Sequence, residues 1–180
     1  MNLEVLCQQI DELYQSMSAE FGAAQKASGL NCPPDCGQCC TVPTVEASEM
    51  EMLPMALELW KQGRAETTLN EMATRDLSTC AMFAGRCTMY AQRPSVCRMF
   101  AVASRLNKDS ERELSLCREL RSLYAQKIDL IDRTQLPDMS EWSFKSLQIH
   151  PEFLRERRPI SMALCMALEK VLFYKTLSQS

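Results

Sequence analysis

Leu3, Leu6, Ile10, Leu13, Met17 and Phe21 recur at steps of three and four with polar residues between them, the spacing that lines one apolar stripe along an α-helix. The pattern predicts a first helix over about 3–27 that ends near Gly29. Thr44, followed by the acids Glu46 and Glu49, reads as the N-cap of a second helix running to Gly63, with Pro54 kinking or dividing it. A polar helix is expected over 66–76. From Ser110 onward Leu114, Cys117, Leu120, Tyr124, Ile128 and Ile131 form another stripe, which Pro137 closes. "PDMSEWSFKSL" and "HPEFL" read as short elements or loops, and Pro159, at a first-turn position, opens a last helix on Ile160, Leu164, Leu168, Val171 and Leu172.

One stretch breaks the helical period. Between Cys80 and Val102, "CAMF" and "CTMY" flank "AGR", the outline of a small hairpin. The Arg93–Pro94 step that follows biases Arg93 away from helical angles. The expected fold is therefore mainly α: a small helical domain around an irregular cysteine-rich centre, with at most a short β-hairpin. There is no internal repeat and no low-complexity tract. The chain reads as one domain over 1–180, with a cysteine-cluster core at about 30–105 and flanking helices in 1–29 and 106–180. With 180 residues, 46% of them apolar, it can hide roughly 70% of its unfolded surface and does not depend on covalent staples.

Charge and composition narrow the chemistry. A mild net charge of −3 leaves no electrostatic footprint for nucleic acid. The acidic start "MNLEVLCQQIDELYQ" lacks the layout of a secretory signal. The longest apolar run, "ISMALCMAL", falls short of the ~18 residues that cross a bilayer, so no membrane span is expected. The expected location is the cytoplasm, where ten cysteines serve as metal ligands or redox thiols rather than disulfides. Five glycines include no nucleotide-binding spacing, and no G-x-S-x-G elbow occurs. The single histidine, His150, excludes a multi-histidine metal site and reads as a surface loop residue. Any chemistry rests on sulfur.

The sulfur is clustered. Cys32, Cys36, Cys39 and Cys40 fall in "NCPPDCGQCC", Cys80, Cys87 and Cys97 follow some forty residues later, and Cys7, Cys117 and Cys165 stand apart. Thiols gather in a reducing compartment when cations hold them. Cys36-x-x-Cys39 is the short bite shared by zinc and iron–sulfur sites. Adjacent side chains such as Cys39 and Cys40 usually diverge. Seven or eight thiolates also exceed the four that one zinc ion or one ordinary cluster takes, so a multinuclear centre or two neighbouring sites is expected. "CPPDCGQC" has the C-x-x-x-C-x-x-C spacing of radical S-adenosylmethionine enzymes. Here, however, the loop follows a helix, Gln38 stands where those enzymes carry an aromatic residue, and no strand–helix alternation comes after it.

"CPPDCGQCC" followed by "CAMFAGRCTMYAQRPSVCRMF" resembles the C-x-x-C-x-x-C-C family of zinc- or iron-chelating cysteine-cluster proteins. Cys80, Cys87, Tyr90, Arg93, Pro94, Cys97, Arg98 and Phe100 match its second half; the first half departs by one residue, three rather than two between Cys32 and Cys36. The resemblance spans roughly 30–105. A further cysteine after the C-R motif, which Cys117 supplies, completes two sets of four. Flagellin lysine methylases share a similar cluster, which implies iron–sulfur over zinc and leaves an enzymatic role open.

The expected metal ligands are Cys32, Cys36, Cys39, Cys40, Cys80, Cys87, Cys97 and Cys117, holding an iron–sulfur cluster or multinuclear iron site with a redox or undefined enzymatic role. The alternatives are a structural zinc module that presents the helices to a protein partner and a metal storage or delivery protein. Cys7 and Cys165 are expected in the core, as are most of the twelve methionines. Arg93 and Arg98 are candidates for hydrogen bonds to cluster sulfur or for ion pairs with acids, Tyr90 is expected to be a buried ring packing the site, and "RERR" at 155–158 reads as a solvated face.

Overall fold

A computed structural model describes residues 2–100 and 102–179. The fold is mainly α, with seven α-helices and three two-stranded antiparallel sheets among the described residues. Helix α1, Leu3–Ser28, starts where the Asn2 side chain accepts the Glu4 backbone N–H and stops at Gly29, which turns left-handed at φ 69°. An extended loop then carries the first cysteines through a 3₁₀ turn, Gln38–Thr41, to strand β1, Glu46–Ala47.

Helix α2, Glu49–Lys61, begins later than the sequence predicts. Its N-cap is Ser48 rather than Thr44, because Ser48 and Glu51 bond reciprocally to each other's backbone N–H in a capping box. Pro54 lies inside the helix without dividing it. Helix α3 spans Ala65–Thr74. The expected hairpin follows as β2, Phe83–Ala84, and β3, Arg86–Cys87, turning at Gly85 (φ 75°). The short helix α4, Ser95–Met99, starts after Pro94.

The stretch from Ser110 does not resume as a helix. Strands β4, Val102–Leu106, and β5, Arg112–Leu116, form a second hairpin. The Asn107 side chain accepts the N–H groups of Asp109 and Glu111, and Ser110 takes φ 63°, so side-chain hydrogen bonding builds the turn. Only Arg118–Leu123 is helical, as α5, and 3₁₀ turns follow at Ile128–Leu130 and Arg133–Gln135. "PDMSEWSFKSL" folds into an 11-residue helix, α6, Met139–Ile149, capped by Asp138. His150 ends it, its Nδ1 accepting the Glu152 N–H at 3.2 Å. Pro159 pairs with Glu46 in strand β6, Arg158–Pro159, immediately before α7, Ile160–Gln179.

Helix α7 packs along α2 and α3, and α1 packs across α2, α4 and α6. The main core joins Ile10, Tyr14 and Met17 of α1 to Met52, Leu53 and Leu59 of α2, Leu164 and Leu168 of α7, and Phe153. Among the described residues seven methionines are buried in it, including Met82, Met89 and Met99 beside the cysteine segments. A second cluster of Ala24, Leu30, Val102, Leu120 and Leu136 fastens the end of α1 to the β4–β5 hairpin and α5. The two clusters fix the floor on which the cysteine loop lies. No helix among the described residues is long and apolar enough to cross a membrane.

Candidate metal centre

The cysteine loop is tied to the hairpin segment by backbone and shape. The Cys80 N–H donates to the Cys40 carbonyl at 2.8 Å, so the last cysteine of the first group is stitched to the first of the second. A tight turn at Pro33–Cys36 holds Asp35 at φ 55°, a conformation that Asp tolerates, and the extra residue between Cys32 and Cys36 falls within this turn. Gly37 lies under the Phe83 ring. A Cβ there would come within 2.3 Å of the ring and 3.3 Å of the Gly85 carbonyl. Gly37→Ala is therefore expected to cost about 1–3 kcal/mol by overpacking and to lift the hairpin off the loop. Gly22→Ala, in the middle of α1 with open space around it, is expected to stabilise by about 0.5–1 kcal/mol. Denaturant unfolding of the two variants with metal absent is the check, and equal effects would sink the packing argument.

Within this frame the thiols form two groups. Cys40, only 8% exposed, lies against the thiols of Cys39, Cys80 and Cys87, and hydrogen bonding shared with them drives its own pKa far above the ordinary thiol range. The same bonds lower its neighbours: Cys39 falls to about 7, Cys87 to about 6, and Cys80 shifts in the same direction. One device is used twice. The N–H of Met82 points to the Cys80 sulfur and that of Met89 to the Cys87 sulfur, each favouring thiolate. Cys97, carried by α4, lies close to Cys39, Cys80 and Cys87; burial and their charges push its pKa well up.

The second group is more open. Cys32 reaches solvent, yet partial desolvation, then the charges of Cys117, Cys36 and Cys39, raise it to about 11. Cys117 caps α5, its sulfur accepting the Leu120 N–H at 3.4 Å, and Tyr124 of the same segment donates its hydroxyl to the Asn31 carbonyl at 3.1 Å. This bond brings Cys117 beside the first loop. Cys39 neighbours both groups. Cys39 and Cys40, expected to diverge, meet instead, in the tight 3₁₀ turn. Among the described residues no three His, Cys, Asp or Glu side chains stand ready to hold an ion. The thiols are gathered without converging on one point, and rotation about Cα–Cβ is what would re-aim them. Cys7 is in the core and Cys165 is half-buried against it, as expected.

The arginines separate in role. Arg98 is buried and makes no ion pair among the described residues; it donates from Nε to the Arg93 carbonyl (2.9 Å), from Nη2 to the Ala91 carbonyl (2.6 Å) and from Nη1 to the Ser18 hydroxyl. With its guanidinium 4.6 Å above the Tyr14 ring, it clamps the Ala91–Pro94 loop to α1. Arg93 instead places its charge near Cys32, Cys39, Cys87 and Cys97. Tyr90 is not buried: it is 61% exposed, with the Arg93 guanidinium 3.9 Å from its ring centre.

Sequence reasoning missed Glu51. Its side chain is fully buried and accepts from the Ser48 N–H (2.8 Å), from the Ser95 hydroxyl and from Arg157, 2.9 Å away, while its carbonyl accepts the Tyr14 hydroxyl at 2.8 Å. Arg157 thus leaves the solvated "RERR" face, whose Arg155 and Arg158 do pair at the surface. Through Ser95, Glu51 anchors the turn that carries Cys97.

Helices framing two thiol groups joined at one cysteine define a cysteine-cluster domain. The chain belongs to the CxxCxxCC family, whose model, described as "Putative zinc- or iron-chelating domain", matches residues 31–120, half of the chain. That span takes in all eight cysteines of the two groups. No curated protein and no solved structure matches the chain. Metal binding, with zinc or iron as the ion, is the function that membership assigns.

Proposed function

We propose that the chain holds an iron–sulfur cluster or a multinuclear iron site, with Cys39, Cys40, Cys80 and Cys87 at its centre, Cys97 beside them, and Cys32, Cys36 and Cys117 as the outer thiols. The carrying observation is the meeting of the Cys40 thiol with Cys39, Cys80 and Cys87, which joins the two halves of the sequence pattern. The donor set fits the metal: thiolates are soft ligands that suit iron–sulfur and zinc centres, and hydrogen bonding with Cys40 lowers Cys39 to about 7 and Cys87 to about 6, so that both ionise near neutral pH. Eight gathered thiols exceed the need of a single tetrahedral ion, which favours the multinuclear reading. The role is electron transfer or support of a further reaction, in a compartment that keeps the thiols reduced.

A structural zinc site is the second reading, favoured by one count: the four inner sulfurs match the ligand number of tetrahedral zinc. Protein purified without oxygen is expected to be brown and to carry iron with acid-labile sulfide in comparable amounts. Stoichiometric zinc with neither iron nor sulfide in such protein would decide for the second reading.

A further inference from the structure

We propose that Arg93 is the positioning residue of the metal centre: its Nε–H donates to a ligand thiolate and its charge offsets the negative charge of the thiolate set. The inference rests on the metal-binding reading. The Arg93 Nε is buried and has no hydrogen-bond partner among the described residues, and a buried donor without an acceptor is a costly arrangement that calls for one. No carboxylate among the described residues pairs with Arg93: neither a salt bridge nor a side-chain hydrogen bond engages it. The groups its charge favours in ionised form are thiols, those of Cys32, Cys39, Cys87 and Cys97.

Its placement is fixed from three directions. Pro94 restricts the backbone at Arg93, which takes φ −57° and ψ 140°. Arg98 grips the carbonyls of Arg93 and Ala91. The Tyr90 ring, 3.9 Å from the guanidinium carbon, stacks beneath the group. A residue so restrained presents its donor at one spot, and the acceptor missing there has the chemistry of the neighbouring sulfur. N–H donors and positive charge next to ligating sulfur strengthen ligation and favour the more reduced state of a redox centre. Tyr90 then serves by aligning the guanidinium rather than by touching sulfur.

The test uses cobalt(II) bound to the reduced full chain, with a chromophoric chelator as competitor and the thiolate-to-cobalt absorption as the spectroscopic signature. Arg93→Met is expected to lose about tenfold or more in affinity and to move the absorption band. Arg93→Lys, which restores the charge without the planar Nε donor, should lie between Arg93→Met and the native chain. In protein carrying an iron–sulfur cluster, Arg93→Met is expected to lower the midpoint potential by about 59 mV, the equivalent of a tenfold change for one electron. Native affinity and an unmoved band in Arg93→Met, while Cys80→Ser has lost metal, would overturn this inference and leave the metal reading standing. Cys80→Ser that binds as the native chain does would overturn the placement of the metal centre at the meeting of Cys40 with Cys39, Cys80 and Cys87. If Arg93→Met does not fold, Arg93→Lys decides: native affinity and spectrum in that variant remove the donor assignment.

Discussion

Glu51→Ala is expected to destabilise the protein by about 3–5 kcal/mol, the range found when one partner of a buried ion pair is removed. The carboxylate is fully buried, and its two oxygens serve three donors: the Ser48 N–H, the Ser95 hydroxyl and the Arg157 guanidinium. Alanine strands all three. Arg157, partly exposed, can turn to water, but Ser48 and Ser95 are buried and cannot. The loss falls on the cysteine cluster as well, because Ser95 opens the helix that carries Cys97 and Ser48 opens α2. At roughly 2–4 °C per kcal/mol for a chain of this size, the melting temperature should fall by about 10 °C. Glu51→Gln keeps one acceptor oxygen and is expected to recover part of the loss. Thermal and denaturant unfolding of the metal-free variants measure both; a Glu51→Ala protein within about 1 kcal/mol of the native one would show that water replaces the carboxylate.

Glu51 was illegible in the sequence for a physical reason. An acid in the first turn of a helix satisfies the helix dipole and the capping box, and nothing local indicates that Ser95 and Arg157 will close over it. Long apolar stripes were legible: α1 and α7 were predicted from residues that do line the core, such as Ile10, Met17 and Leu164. The second hairpin was misread because Leu114, Cys117 and Leu120 happen to fall at helical steps. Arg112, Leu114 and Leu116 also alternate with Glu111, Glu113 and Ser115, and the side chain of Asn107 settled the competition in favour of a turn. The cysteines were legible as a set because clustering along the chain is a matter of residue type and spacing, both of which the sequence displays. Their division was not. It depends on the Cys80–Cys40 backbone bond and on Tyr124 reaching Asn31, contacts 40 and 93 residues apart.

Cys80→Ser is expected to lose its metal to a competing chelator while leaving the metal-free fold intact. Cys80 meets Cys40 across the two halves of the cluster and is held toward thiolate by that bond and by the Met82 N–H. Serine offers an oxygen that stays protonated and is a poor partner for a thiolate-seeking metal. If a structural site supplies about 10–16 kcal/mol shared over four ligands, one thiolate is worth roughly 3 kcal/mol, about a hundredfold in affinity. The fold should survive because the Cys80 N–H to Cys40 carbonyl bond is made by backbone, and a serine oxygen can still accept from Met82. Ligand loss and unfolding are thereby separable. Cys165→Ser, on α7 and away from both thiol groups, should keep full metal. Cys7→Ser, buried to 2% exposure in the core, should lose stability by about 1–3 kcal/mol for an unsatisfied hydroxyl and still keep metal. Metal content after gel filtration, chelator competition and denaturant unfolding of the three variants separate these outcomes. Full metal in Cys80→Ser, or loss in Cys165→Ser, would place the centre elsewhere than at the meeting of Cys40 with Cys39, Cys80 and Cys87.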